Sequence, residues 1–485
     1  QMKIGHFTLS FVDLAIPVSG LDIEIIRTYD SRDKQPRDFG VGWNLDIRQG
    51  SYRNNRAPGD GWQLQTGFVA CDTALESKSH LTVVRLSDQE VYRFALRLVR
   101  GVPRNSGGCS ATAEFVYIDG PLPGTTLAIL GNDQVFQETQ SSNRVLDLDT
   151  LATYEPQQVR LTTRDGRIFE LDLNDGVTHL EDLNGNALQI TPSGITHSSG
   201  QGIEFIRDGE GRIERITDPA GQAIHYTYDA VGGLTLNADR EGAETRFSYV
   251  DDHYLVEVEN ALGAKAVRTE YDQDGRMIRT IDALGRATTY DHDLDARREV
   301  VTNRLGFSRV LEYDARGNVI RETDENGKIT SRSYDSSDLL LSETDPLGHT
   351  TVNTYSPQKD LLNATDGDGG ETLLTYNDLG RVLTVTDPRG QITRYTYGPR
   401  GNPTEIEAAD GNSLTLTYDV GGRLTTQTNA DGGTESFEYD SSGNLIRWIA
   451  AEGRETTYVY NSSSRKLSET TVRALPGGGS ESLTT

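Results

Sequence analysis

The sequence predicts an all-β protein: tandem β-hairpins of 21 residues each, stacked into an extended or hollow sheet. Three observations predict it. Glycine recurs on a 21-residue step from about residue 207 onward. A tyrosine follows these glycines at a near-constant distance. Between the markers polar and apolar residues alternate, and no apolar i, i+3, i+4 pattern persists through the array.

The turns come first. The recurring glycines are Gly221, Gly242, Gly263, Gly285, Gly306, Gly327, Gly348, Gly369, Gly390, Gly411, Gly432 and Gly453, with a single 22-residue step between Gly263 and Gly285. Ten of the twelve have Asp or Asn three residues earlier, and proline follows in Asp218-Pro219, Asp345-Pro346 and Asp387-Pro388. Asp accepts local backbone N–H groups, Pro presets φ, and Gly takes a positive φ, so each set reads as a tight turn.

The second marker lies seven residues after each glycine, or eight at Tyr271. It reads Tyr228, Tyr249, Tyr271, His292, Tyr313, Tyr334, Tyr355, Tyr376, Tyr397, Tyr418, Tyr439 and Tyr460. Nine of these are followed by Asp or Asn and seven have glycine four residues on, which gives each unit a second turn. The strands lie between. In Leu374–Val385 the alternation sets Leu374 and Tyr376 on one face, with Val382 and Thr384 on the same side of the next strand. A lone hairpin is marginal, but stacked hairpins cover one another. Cross-strand tyrosines are expected to form a ladder of stacked rings.

Composition fits a large wetted sheet. The 485 residues include 47 basic and 73 acidic side chains, a formal charge of −26, with 35% hydrophobic residues and 50 glycines. Low hydropathy alone would allow disorder, but 21 tyrosines on a regular period argue against it. The charge disfavours a nucleic-acid partner, no apolar run is long enough for a membrane helix, and two cysteines exclude a disulfide scaffold.

These residues carry a resemblance. Tyr-Asp-x-x-Gly-Arg/Asn followed by Thr-Asp-Pro-x-Gly, repeated across about 207–461, resembles the YD repeats of the Rhs family. Independently, the stretch from Phe7 through Pro17-Val18-Ser19-Gly20, Arg27-Thr28-Tyr29-Asp30 and Phe39-Gly40-Val41-Gly42-Trp43 resembles the motif that precedes such repeats. The family includes bacterial Rhs polymorphic toxins, the B and C subunits of Tc toxins, and animal teneurins. The resemblance implies a spiral sheet wound into a hollow shell. It divides the chain into an amino-terminal plug region (1–160), divergent early repeats (161–206) and the YD-repeat array (207–485).

The Asp-Pro-rich core that resembles a self-cleavage site in Rhs toxins does not occur here. The chain starts at Gln1, and the next step of the period falls on Ala474. The expectation is a trimmed piece of a longer protein, or one that associates end to end.

Chemistry-bearing patterns are sparse. The eight histidines never fall at zinc-ligand spacing. Asp366-Gly367-Asp368-Gly369-Gly370-Glu371 has part of a calcium-loop pattern, but it lacks the other ligands and sits on a repeat turn. No nucleophile elbow, P-loop or dinucleotide fingerprint is present. No cofactor, metal or catalytic residue is therefore expected. Cys71 and Cys109 fit a disulfide and two buried thiols equally well. Trp43 reads as a core anchor, while Trp62 and Trp448 could be core or ligand platform. The residue reading and the resemblance together favour a non-enzymatic secreted or cell-surface scaffold of bacterial type that encloses or delivers an effector polypeptide. The alternative is an extracellular adhesion or filament module that binds a partner protein or a glycan.

Overall fold

The computed structural model describes residues 5–66, 71–99, 109–137, 143–251, 253–461, 464–474 and 480–484. Among them the chain is β throughout, save one 3-10 turn at Asp46–Arg48. Thirty-three strands form one antiparallel sheet in chain order, beginning at Thr126–Leu130 and Gln158–Thr162 and ending at Ser480–Thr484. The amino-terminal region adds a three-stranded sheet, built on β1 (Thr8–Ile16), β2 (Ile23–Asp30) and the strand Trp43–Leu45, and a six-stranded sheet between Ser51 and Asp147.

Each repeat has two turns, so the ribbon has two rows of turns along its edges. One row holds the recurring glycines; we call it the glycine row. In Asp345–His349 the Gly348 N–H donates to the Asp345 carbonyl (3.0 Å), and the Asp345 carboxylate accepts the N–H groups of Leu347 and His349 (2.8 and 2.9 Å). Gly348 stands at φ +91°, a region that L-residues rarely adopt. The other row follows the tyrosines and has the same design: Asp314 accepts from the N–H groups of Arg316, Gly317 and Asn318. Where this tyrosine row lacks its glycine, Asp338, Lys359 and Ser464 take a positive φ instead.

A bulge precedes almost every marker tyrosine. Tyr376 pairs with Val382, Thr375 with Thr384 and Leu374 with Val385, with a register shift between Thr375 and Tyr376. The extra residue corrects the sequence reading. Thr384 faces away from Tyr376, and its hydroxyl meets that of Thr375 at 2.7 Å on the opposite face; Val385 takes the place beside Leu374. The single 22-residue step is absorbed in the same way: Val258 pairs with Val267 and Glu259 with Lys265, which leaves Ala266 as the bulged residue.

The core lies where the amino-terminal hairpin β1–β2 covers the tyrosine face of the early repeats. Ile16, Ile23, Ile25 and Tyr29 on the hairpin pack with Ile213, Ile216, Tyr226, Leu234 and Phe247 on the sheet. Arg27 is fully buried there. It pairs with Asp13 (2.8 Å) and lies over the rings of Trp43, Phe11 and Phe247 at 4.6–5.1 Å. Tyr226 donates to the same Asp13 (2.8 Å), and the Trp43 indole donates to Tyr249 (2.7 Å). Beyond Met277 only Leu416 and Ala450 among the described apolar residues are buried. From there on the described strands of the wall form a single layer.

Candidate functional site

The sheet closes on itself. Arg164, in the glycine-row turn after Gln158–Thr162, reaches the tyrosine-row turns at 356–360 and 377–381. Its guanidinium donates to both carboxylate oxygens of Asp360 (2.8 and 2.9 Å) and to the carbonyls of Asp378 (2.9 Å), Asn377 (3.3 Å) and Gln358 (3.4 Å). Further along the same line the Asn186 amide donates to the Gly421 carbonyl (2.9 Å), Asn402 donates to Asn184 (2.9 Å) and Gln201 to Ser442 (2.9 Å). Lys359 reaches across to the Gly120 carbonyl (2.8 Å) and to Asp119 (3.3 Å), and it holds the Asp119 carboxyl below its usual range.

Between the partners of these contacts lie nineteen to twenty-three strands of the sheet. At ~4.8 Å per strand, one circuit is roughly 100 Å around and roughly 30 Å across between backbones. The glycine row of one circuit thus meets the tyrosine row of the next. The hydrogen bonds across this seam all involve side chains. Donors sit mainly on the glycine row, and carbonyls and carboxylates on the tyrosine row.

The hairpin β1–β2 joins the seam. Its tip, at Ser19, donates to the Gly421 carbonyl (3.3 Å), and Gly443 packs against Val18 and Ser19. The same region ties down the tyrosine row of the first circuit. Val41 N–H donates to the Gly232 carbonyl, Ile213 N–H to the Asp38 carbonyl, and Met277 N–H to the Gly5 carbonyl.

The marker tyrosines act differently from the expected ring ladder. Most of the hydroxyls reach a backbone carbonyl one hairpin back: Tyr334 to Val319, Tyr355 to Leu340, Tyr376 to Leu361, Tyr397 to Val382 and Tyr439 to Leu424, at 2.8–3.3 Å. Tyr228, Tyr249 and Tyr271 do the same with Ile213, Leu234 and Leu255. His292 makes the equivalent bond through Nε2 to the Met277 carbonyl (2.7 Å), which explains how it holds a tyrosine slot. Tyr313 departs from the pattern and donates to the Glu299 carboxylate (3.1 Å). These bonds tie consecutive hairpins together, and burial raises the phenol pKa of Tyr376, Tyr418 and Tyr439.

Trp43 is buried in the hairpin core. Trp62 is buried and stacked on His80 at 4.5 Å. Trp448 is half-buried and donates to Glu435 (2.9 Å). Cys71 and Cys109 stand at the starts of the strands Cys71–Glu76 and Cys109–Asp119, and their side chains lie outside the described residues. The Asp366 carboxylate is engaged by the N–H groups of Asp368 and Gly370 of its own turn. Among the described residues no group of three or more His, Cys, Asp or Glu side chains is arranged to hold a metal, and no helix is long and apolar enough to cross a membrane. Arg164, Asn186 and Gln201 carry no sequence signal beyond their place in turns.

Residues 310–481 match the family model described as Teneurin YD-shell. That segment belongs to the Rhs/YD-repeat family. No curated protein sequence matches the chain. Among solved structures it is similar to TcdB2-TccC3, at 15% identity over 84% of this chain and 25% of that one, with a TM-score of 0.48. The complex TcdB2-TccC3-Cdc42 gives 14% identity over 84% and 26%, TM-score 0.48. The Photorhabdus luminescens Tc holotoxin pore gives 13% identity over 98% and 30%, TM-score 0.43. The chain spans roughly a quarter of the length of the first of these.

Proposed function

We propose that this YD-repeat wall is a secreted or cell-surface container that encloses a polypeptide. One observation carries the reading: the Arg164–Asp360 seam closes the sheet into a circuit, and β1–β2 sits on its tyrosine face. We take that face as the inside. Beyond the hairpin it offers Leu374, Tyr395, Leu416, Phe437 and Trp448, half-buried or buried, with no second sheet packed over them among the described residues, a surface that suits the apolar side chains of an unfolded chain. The opposite face carries hydroxyl pairs such as Thr417 with Thr426 and Ser333 with Ser342, which suit water. The role is one of scaffold, with no catalytic group required of the wall.

The test is protease protection. An unstructured reporter peptide is fused after Thr485, and its cleavage is compared with that of the free peptide. Enclosure predicts cleavage slowed at least tenfold in the fusion, and restored in an Arg164→Glu variant. Equal cleavage of fused and free peptide would overturn the container reading and favour an open adhesion surface.

A further inference from the structure

The six-stranded amino-terminal sheet has two edges, and they are finished differently. At one edge the strand Leu146–Asp147 is covered by its own loop: the Asp147 N–H donates to the Ala152 carbonyl (2.8 Å), and Leu146 bridges Thr153. At the other edge stands Ser51–Asn54, which pairs on one side only, with Leu81–Arg85. Along an antiparallel ladder, residues whose N–H and C=O face the partner alternate with residues whose groups face away. The Asn55 N–H donates to the Leu81 carbonyl (2.9 Å) and sets the phase. Ser51 and Arg53 therefore face the partner strand, and Tyr52 and Asn54 turn their backbone groups outward. Among the described residues no hydrogen bond reaches those N–H and C=O groups.

This edge borders a cleft of about 1160 Å³. Every residue from Gln49 to Asn55 lines it. A ligand on one face of a strand meets alternate residues, whereas a ligand along its edge meets each of them. The opposite wall is made by the turns around 172–176, 207–212 and 230–232. These turns belong to the tyrosine row of the first circuit, the row to which Asp38 and Val41 are tied. The second circuit stacks on the glycine row, so the cleft opens at the plugged end, beyond its reach.

Charge selects the occupant. The other arginines of the cleft are committed: Arg37 to Asp33 (2.8 Å), Arg48 and Arg207 to Asp38 (3.0 and 2.7 Å), Arg85 to Asp88 (2.9 Å) and Arg212 to Asp208 (2.7 Å). Arg53 is exposed and makes no ion pair among the described residues. A strand added at this edge bonds through Tyr52 and Asn54. That leaves Arg53 in a non-hydrogen-bonded pair, where opposing side chains stand closest, and an acidic residue fits the place. A second copy of the same edge does not fit. Pairing Tyr52 of one copy with Asn54 of the other sets Arg53 against Arg53, and like charges directly opposite repel.

We propose that this cleft is a strand-addition site for an extended acidic segment of a partner protein, which pairs with Tyr52 and Asn54 and sets Asp or Glu opposite Arg53. The partner is thereby attached to the plugged end of the wall, whatever the wall encloses.

Calorimetry of the full chain with a capped peptide, Thr-Glu-Val-Glu-Val-Glu-Thr, tests this. A dissociation constant below about 1 mM is expected. The same peptide with Lys in place of Glu should bind at least tenfold more weakly. Arg53→Glu should reverse that order with an unchanged melting temperature, because the side chain is exposed. N-methylation reads the backbone geometry. Methyl groups on the valine nitrogens remove the N–H groups that face the edge and should abolish binding. Methyl groups on the glutamate nitrogens point away and should leave it intact. No binding at about 1 mM would overturn the proposal, as would equal loss from both methylation patterns or indifference to Arg53→Glu. A dimer of the chain that the peptide disperses would give the edge to a second copy and overturn it too.

Discussion

Arg164 binds both carboxylate oxygens of Asp360, 196 residues further along the chain. Both side chains are largely shielded, at 10% and 15% exposure. The three carbonyls that surround the guanidinium leave it no equivalent partner elsewhere, so this pair sets where one circuit of the sheet lies on the next.

Arg164→Ala should therefore cost about 2–4 kcal/mol of local stability at the seam, the range for removing one member of a shielded ion pair with further hydrogen bonds. Hydrogen exchange of the amides in 356–381 should accelerate, while that of the hairpins around 308–334 stays as it was. Uniform acceleration along the whole array would mean that Arg164 supports the fold globally rather than the seam.

The tyrosine bridge separates into ring and hydroxyl. Tyr376→Phe removes only the bond to the Leu361 carbonyl and should cost about 1 kcal/mol. Tyr376→Ala also removes a half-buried ring and should cost about 2 kcal/mol. Chemical denaturation of both variants measures this. A phenylalanine variant as stable as the parent would show that the hydroxyl bond contributes nothing net.

Turn geometry predicts effects of opposite sign at two positions. Gly390 stands at φ +78° with open space around it, so Gly390→Val should destabilise by about 1–2 kcal/mol through the backbone alone. Ser464 stands at φ +58° with its hydroxyl buried and unpaired. Ser464→Gly relieves both and should stabilise by about 0.5–1 kcal/mol. Thermal melts that rank the two variants the other way would contradict the turn assignment.

The turn carboxylates make the protein acid-sensitive. The backbone N–H of Arg286 and its side chain hold Asp282 down to about 2. Asp314 also lies at about 2, where N–H and side-chain bonds from its turn outweigh its desolvation. A folded value below the unfolded one near 3.8 gives a stabilisation that is present above pH 4 and lost as pH falls from 4 towards 2. The tyrosines give the opposite limb. Burial lifts Tyr271 to about 12, so its contribution is full below pH 10 and lost as pH rises from 10 to 12. The melting temperature should be flat between these limbs. A decline that starts at pH 6 would assign acid sensitivity to histidine instead.

The local design was legible because it repeats. Asp345 and Gly348 fix a turn three residues apart, and Tyr376 lies opposite Val382 within one hairpin, so twelve copies of the same short-range pattern amplify one signal. The bulge before Tyr376 was not legible, since one extra residue in the ladder leaves the composition unchanged, and it reversed the side on which Thr384 was expected. The tyrosine ladder was expected as ring against ring because spacing shows which rings recur, not which carbonyl each hydroxyl reaches. The seam left no trace in the pattern. Arg164 meets Asp360 only because some twenty strands of twist bring them together, and no local rule counts strands around a circuit.

Closure of the sheet is the central claim, and a cross-link tests it most directly. In a chain whose Cys71 and Cys109 are replaced by serine, Arg164→Cys and Asp360→Cys are introduced together and treated at low protein concentration with a short bis-maleimide, because an arginine–carboxylate pair holds its backbones further apart than a disulfide spans. The closed spiral predicts an intramolecular cross-link in high yield, seen as a faster-migrating band that neither single-cysteine chain gives. Two singly attached linkers per chain, or intermolecular links alone, would contradict it.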